Sequence, residues 1–182
     1  MSRFLIASFK VESGRIMASD PCYRIGTWCQ NSITARNGKY EVYLTRKEFD
    51  DWGERNWKLE IIHEDFTHFK ANELPWEIVG GTFGVDSGTF GFFDYDYYAK
   101  YHNEEDMDTF DKWYDRKVCD VDSFWSECDG RGVWSSSGLG DGSYDVDAVW
   151  YGDEVVALQA TFIYEDEDEE EWEWVEDEDD ED

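Results

Sequence analysis

The segment Glu154–Tyr164 constrains the fold of this chain more than any other. Read as an extended strand, it places Val156, Leu158, Ala160 and Phe162 on one face and Val155, Ala157 and Ile163 on the other. Successive side chains of a strand point to opposite sides of its sheet, so a strand apolar on both faces has to be covered on both. A lone sheet with one wet side is therefore excluded, and layers are expected on either side. The material for those layers is present in 10 Trp, 11 Tyr and 12 Phe. Rings of this kind bury large areas and favour strands, whereas a disordered chain is poor in them. A length of 182 residues suits one domain with a real core.

Other segments read as strands. Arg3–Phe9 and Arg15–Ala18 are joined by a turn at Glu12–Gly14. Asn37-Gly38 is a hairpin signal ahead of a strand over Tyr40–Leu44. Thr45, with Glu48 three residues on, predicts a capping box and a short helix to about Trp52. Trp57–His63 is extended, and Trp76–Val79, Thr82–Val85 and Thr89–Phe93 suit a meander. A helix is expected after Asn103 as N-cap, with Met107, Phe110, Trp113 and Tyr114 at helical spacing. Val133–Ser135 and Tyr144–Trp150 follow, the latter joined to the final strand by a Gly152-Asp153 hairpin. The expected fold class is β-rich α+β: antiparallel sheets with one or two short helices, residues 1–164 forming a single domain and 165–182 an acidic C-terminal tail.

Charge limits the partners. The chain carries 45 acids against 16 bases, a net −29. Fifteen of those acids and no base fall between Glu165 and Asp182, so the first 164 residues hold 30 acids against 16 bases, a net −14. A body this acidic repels nucleic acid and anionic membranes and attracts a basic surface. Like-charge blocks such as the tail repel and extend, yet this one contains Trp172, Trp174 and Val175, residue types that anchor interfaces. The expected partner-binding segment is therefore Glu169, Glu170, Glu171, Trp172, Glu173, Trp174, Val175 and Glu176. The apolar stretch Phe4–Phe9 is too short for a signal sequence, no run reaches the length of a membrane span, and four cysteines are few for a disulfide scaffold. A cytoplasmic location with reduced thiols is expected.

Three segments concentrate glycine, small hydroxyls and acids: Ser19-Asp20-Pro21-Cys22-Tyr23 running on to Gly26-Thr27-Trp28-Cys29, Val85-Asp86-Ser87-Gly88-Thr89-Phe90-Gly91-Phe92-Phe93-Asp94, and Ser135-Ser136-Ser137-Gly138-Leu139-Gly140-Asp141-Gly142-Ser143-Tyr144. In these boxes, over roughly residues 15–163, the sequence resembles an uncharacterised family of small proteins that recurs in phage genomes and in bacteria. The resemblance brings no activity with it. The acidic tail departs from the family's usual ending. What the resemblance implies is a bacterial host cell as the setting.

Chemistry at the boxes is weighed from the residues themselves. Ser87 or Ser137 is a possible nucleophile with Asp20, Asp86 or Asp141 in support, but a serine needs a base beside it, and His63, His68 and His102 lie outside the boxes in sequence. The nucleophile-elbow pattern is missing. Asp20, Asp86, Asp94, Asp141, Asp145 and Asp147 are candidate ligands for a hard cation such as Mg²⁺ or Ca²⁺, without EF-hand spacing; the cysteine and histidine spacings do not suit zinc. No cofactor is expected. The Gly-Leu-Gly-Asp-Gly run lacks the lysine of a phosphate loop. Glycine for turn geometry and Asp and Ser for turn backbone account for most of this composition.

The sequence thus points to an acidic, non-enzymatic interaction protein. It would bind and inhibit a basic, possibly nucleic-acid-binding, host or defence protein by imitating the phosphate array of DNA, which carries one charge per about 1.7 Å of axis. The alternative is a small-ligand binder or metal-dependent hydrolase built on Asp20, Asp86, Ser87, Ser137 and Asp141.

Overall fold

A computed structural model describes residues 1–103 and 105–164. The acidic segment 165–182, including the expected anchor residues Glu169–Glu176, lies outside the described residues.

Twelve strands form two antiparallel sheets. The large sheet runs β1 (Ser2–Val11), β4 (Gly38–Phe49), β5 (Gly53–His63), β12 (Glu154–Thr161) and β11 (Gly142–Tyr151), with β6 (Glu77–Ile78) and β7 (Phe83–Val85) pairing separate stretches of β11. The small sheet runs β3 (Asn31–Thr34), β2 (Arg15–Ser19), β8 (Thr89–Asp94), β10 (Gly132–Ser136) and β9 (Trp125–Glu127). Their inner faces share one core, with Val42, Leu44, Leu59, Ile61, Leu158 and Phe162 from the large sheet meeting Ile16, Ile33, Phe90, Phe92 and Val133 from the small one.

Each outer face carries a further layer. Helix α1 (Tyr95–Tyr101), helix α2 (Met107–Tyr114) and the π turn that extends α2 over Asp115–Cys119 cover the small sheet, burying Tyr98, Trp113 and Val118 against Met17, Phe93 and Trp134. The connection between β5 and β6 covers part of the large sheet, laying Leu74, Phe66 and Trp76 on Ile62, Val149, Val156 and Ala157. The two-faced reading of β12 therefore holds. One detail differs. A bulge falls in β12, where Ala157 pairs with Val149 but Val155 pairs with Trp150. The phase slips there, so Val155 joins Leu158 and Ala160 in the inter-sheet core while Val156 joins Ala157 outside.

Several local expectations are corrected. No helix starts at Thr45: β4 continues to Phe49, paired with β1 as far as Arg46 and with β5 to its end, with Arg46 reaching across to Glu54 and Asn56. Continuous pairing with β5 overrides a four-residue capping signal. β6, β7 and β8 form no meander, because β6 and β7 pair β11 while β8 pairs β2 and β10. Neither the Glu12–Gly14 turn nor Asn37-Gly38 closes a hairpin. Both carry the chain from one sheet to the other, and the Asn37 side chain accepts the Gly14 N–H at 2.7 Å where they meet. α2 is capped by Asp106, whose Oδ1 accepts the Thr109 N–H at 3.0 Å, rather than by Asn103. Among the described residues, no helix is long and apolar enough to cross a membrane.

Candidate functional site

The second and third boxes are sheet-to-sheet crossings: residues 86–88 carry the chain from β7 to β8, and residues 137–141 carry it from β10 to β11. The first box follows β2 before the chain returns as β3. A crossing turns sharply and leaves backbone groups without sheet partners, so small residues and short polar side chains collect there. Gly138 shows the constraint. Its φ is +69°, and an added Cβ would lie 2.7 Å from the Asn56 carbonyl oxygen.

The three boxes meet in space, with Asp20 joining the first two. It is 0% exposed. Its Oδ1 accepts the Cys22 N–H at 2.8 Å and the Ser87 hydroxyl at 2.7 Å; its Oδ2 accepts the N–H groups of Asp86 and Ser87, both at 2.8 Å. Four donors fill the acceptor capacity of a carboxylate. Box three joins box two through the Ser137 N–H, which donates to the Gly88 carbonyl at 3.0 Å, and the buried Ser137 hydroxyl donates to the Gly140 carbonyl at 2.6 Å. Box one joins the strand entering box two where the Gly84 N–H donates to the Cys29 carbonyl at 3.0 Å.

His102 supports this junction from behind. Its ring stacks on Tyr98 at 3.6 Å, and its nitrogens lie 2.8 Å from the Tyr98 carbonyl and 2.9 Å from the Pro21 carbonyl. Burial lowers its pKa to about 4, outweighing the two carbonyls that favour the charged ring. Both nitrogens face backbone oxygens, so neither serves Ser87 as a base. Burial and the neighbouring Asp20 carboxylate push the Cys22 thiol far up, which keeps it protonated.

An open cleft of about 410 Å³ lies in front of the junction. Asp86 and Asp141 line it, as do Tyr23, Trp28, Cys29 and Ser143. The Tyr23 hydroxyl donates to Asp86 Oδ2 at 2.8 Å; its pKa is pushed up by burial and then by its hydrogen bonds with Cys29 and Asp86, so it remains a donor. Trp28 is 81% exposed. Of the five expected site residues, Asp86 and Asp141 thus line the cleft, whereas Asp20, Ser87 and Ser137 are consumed by the turns behind it. Of the wider cation candidates, Asp94 is fully buried and pairs with Arg131 and Ser13, and Asp145 and Asp147 sit on β11. Among the described residues, no three His, Cys, Asp or Glu side chains form a metal-ligand group. All four cysteines are free thiols.

Trp28 and Tyr23 lie within the first box without an expected role. The usable signal was a tryptophan inside a Gly-Thr-Trp-Cys turn, where a large apolar residue has no core to enter. No family model, no curated protein and no solved structure matches this chain.

Proposed function

We propose that the protein is a non-enzymatic, acidic binding protein that docks on a basic surface of a partner protein, with the Trp28 cleft as one contact. The observation that carries this reading is the division of labour at the boxes. Asp20, Ser87 and Ser137 are spent on the fold, while Asp86, Asp141 and an exposed indole face outward. A serine hydrolase needs a nucleophile with a base beside it; Ser87 and Ser137 are spent on turns, and both His102 nitrogens face backbone carbonyls. A cleft with two carboxylates and an aromatic face suits an Arg or Lys side chain, by charge pairing and by cation–π contact. The net charge of −14 on residues 1–164 would steer a basic partner toward it, and the fifteen acids of residues 165–182 would add to that field. With the three-box resemblance, the partner on this reading is a basic, nucleic-acid-binding or defence protein of a bacterial host cytoplasm, inhibited by a surface that imitates nucleic acid.

The test is affinity capture from bacterial lysate with the full chain and with an Asp86→Asn/Asp141→Asn/Trp28→Ala variant. The expected result is a basic protein retained by the former, released as salt rises, and lost or much weakened with the latter. Capture indifferent to salt, or equal with both chains, would remove the cleft from the reading.

A further inference from the structure

A second cleft lies on the outer face of the large sheet, beside the apolar patch of Ile62 and Ala157 and apart from the boxes. Its volume is about 300 Å³. Strand register builds its floor. Tyr43 on β4 pairs with Glu60 on β5, Glu60 with Gln159 on β12, and Gln159 with Asp147 on β11, so these side chains form one polar row across the sheet. The floor is buried: Glu60 is 2% exposed and Gln159 8%. The row contributes nothing to an apolar core; among the described residues Arg131 Nε is the one enclosed side-chain polar atom without a partner, so the acceptors of this row that the protein leaves unpaired are open to the cleft.

Glu60 is only half satisfied. Its Oε2 accepts Arg3 Nε at 2.9 Å and the Thr45 hydroxyl at 3.4 Å. Among the described residues, no donor reaches its Oε1, which belongs to a side chain lining the cleft. The Gln159 amide donates to Asp147 at 3.5 Å, leaving its carbonyl oxygen as a second acceptor. The walls are indoles. Trp57 and Trp76 line the cleft, and their N–H groups already donate to the carbonyls of Ile163 and Ala71, at 2.8 and 2.7 Å. They offer rings rather than hydrogen bonds, the Trp57 ring being shared with the ammoniums of Lys58 and Lys47 at 4.6 and 5.2 Å. Two basic side chains also line it: Lys58, whose ammonium lies 4.6 Å from the Trp57 ring centroid, and Arg3, whose guanidinium stacks 3.7 Å from that of Tyr43.

Aromatic walls, a floor of acceptors and bases at the side define a ligand by complement: a planar ring with N–H donors, carrying an anionic group. We propose that this cleft binds a nucleoside monophosphate whose base bears an exocyclic amine. The base would stack on the indoles and donate to Glu60 Oε1 and the Gln159 carbonyl, and Lys58 would meet the phosphate. A nucleic-acid polymer is repelled by the net −29, whereas a mononucleotide meets chiefly the local bases. This site is independent of the box cleft and of any protein partner.

Isothermal titration of the full-length protein with CMP, AMP, GMP and UMP, with cytidine and inorganic phosphate as controls, tests it. The amine-bearing nucleotides are expected to bind, with UMP weaker by about tenfold or more, because its carbonyl would face these acceptors. Phosphate alone is expected not to bind. Glu60→Gln should narrow the gap between CMP and UMP. Lys58→Ala, which leaves the floor and the Arg3–Glu60 pair intact, should weaken CMP by about tenfold while leaving cytidine unchanged. Absence of heat with every nucleotide at millimolar concentration, equal affinity for CMP and UMP, or binding of phosphate alone would overturn the proposal.

Discussion

Asp20 and Glu60 are both buried carboxylates on the same sandwich, and they differ in how many of their lone pairs the protein fills. Asp20 receives four donors, three of them backbone N–H groups, and ties together turns that lie more than sixty residues apart in the chain. Glu60 receives Arg3 and Thr45 on one oxygen and leaves the other to a cleft. A saturated carboxylate is part of the architecture, since anything bound to it would have to displace a donor that then goes unpaired. An undersaturated one has capacity left for a ligand. Burial alone does not separate the two, because both are almost wholly enclosed.

The largest effect expected from that difference is on stability. Asp20→Ala leaves the N–H groups of Cys22, Asp86 and Ser87 without their acceptor in a closed site, and should lower unfolding free energy by about 3–5 kcal/mol. Glu60→Gln leaves Arg3, whose side chain is 35% exposed, free to turn to water, and should lower it by only about 1 kcal/mol. Urea denaturation of both variants beside the parent measures this. Equal losses would erase the distinction between an architectural and an available carboxylate.

The next effect concerns the support behind Asp20. The His102 pKa is lowered from an ordinary 6.5 to about 4 by burial. Between those values the unfolded chain holds a proton on this residue that the folded chain does not, so folding grows weaker as pH falls from about 6.5 toward 4 and is unaffected by this group above that window. The contribution is about 3 kcal/mol at full extent, at 1.36 kcal/mol per pH unit. Other carboxylates titrate in the same range, so the measurement is the difference in pH dependence between the parent and His102→Gln, together with the NMR titration of the ring. A ring that titrates near 6.5 in the folded protein would remove it from the buried support of the first box. Smaller again is Gly138→Ala, which forces a Cβ toward the Asn56 carbonyl at positive φ and should lower stability by about 1–3 kcal/mol in thermal melts.

What the sequence could and could not convey divides along the same line. The two-faced strand β12 and its Gly152-Asp153 hairpin with β11 were readable, because side-chain alternation and a two-residue turn are local properties. The bulge that moves Val155 to the inner core was not, since it depends on what β11 and β5 present beside it. The boxes were readable as turns and as a cluster of small polar residues. That Asp20 would spend all its capacity on Asp86, Ser87 and Cys22 was not, because the crossings had to be brought together first. α1 escaped notice because Tyr95, Tyr97, Tyr98 and Tyr101 are residues that strands favour, and packing on Phe93 and Trp113 overrides that preference. The Glu60 row was invisible for a different reason: a polar residue alternating with Leu59 and Ile61 looks like an ordinary wet face until the loop carrying Trp76 is laid over it.

The smallest expected effect on stability belongs to the residue expected to matter most for binding at the box cleft. Trp28 packs on little, at 81% exposed, so Trp28→Ala should change unfolding free energy by less than about 0.5 kcal/mol. An indole that anchors a partner is commonly worth about 2 kcal/mol or more at its interface, so the same change should weaken partner binding by about thirtyfold. Ending the chain at Tyr164 makes the complementary cut. It keeps the Trp57 indole on the Ile163 carbonyl and the Tyr164 hydroxyl on the Asp145 N–H, so the sandwich stays closed while fifteen acids are removed. That truncation should flatten the salt dependence of partner association, measured by surface plasmon resonance at several ionic strengths, and leave the loss caused by Trp28→Ala in place. If truncation abolishes the Trp28 effect instead, the cleft and the tail form one contact, and the outward-facing half of the boxes has no role of its own.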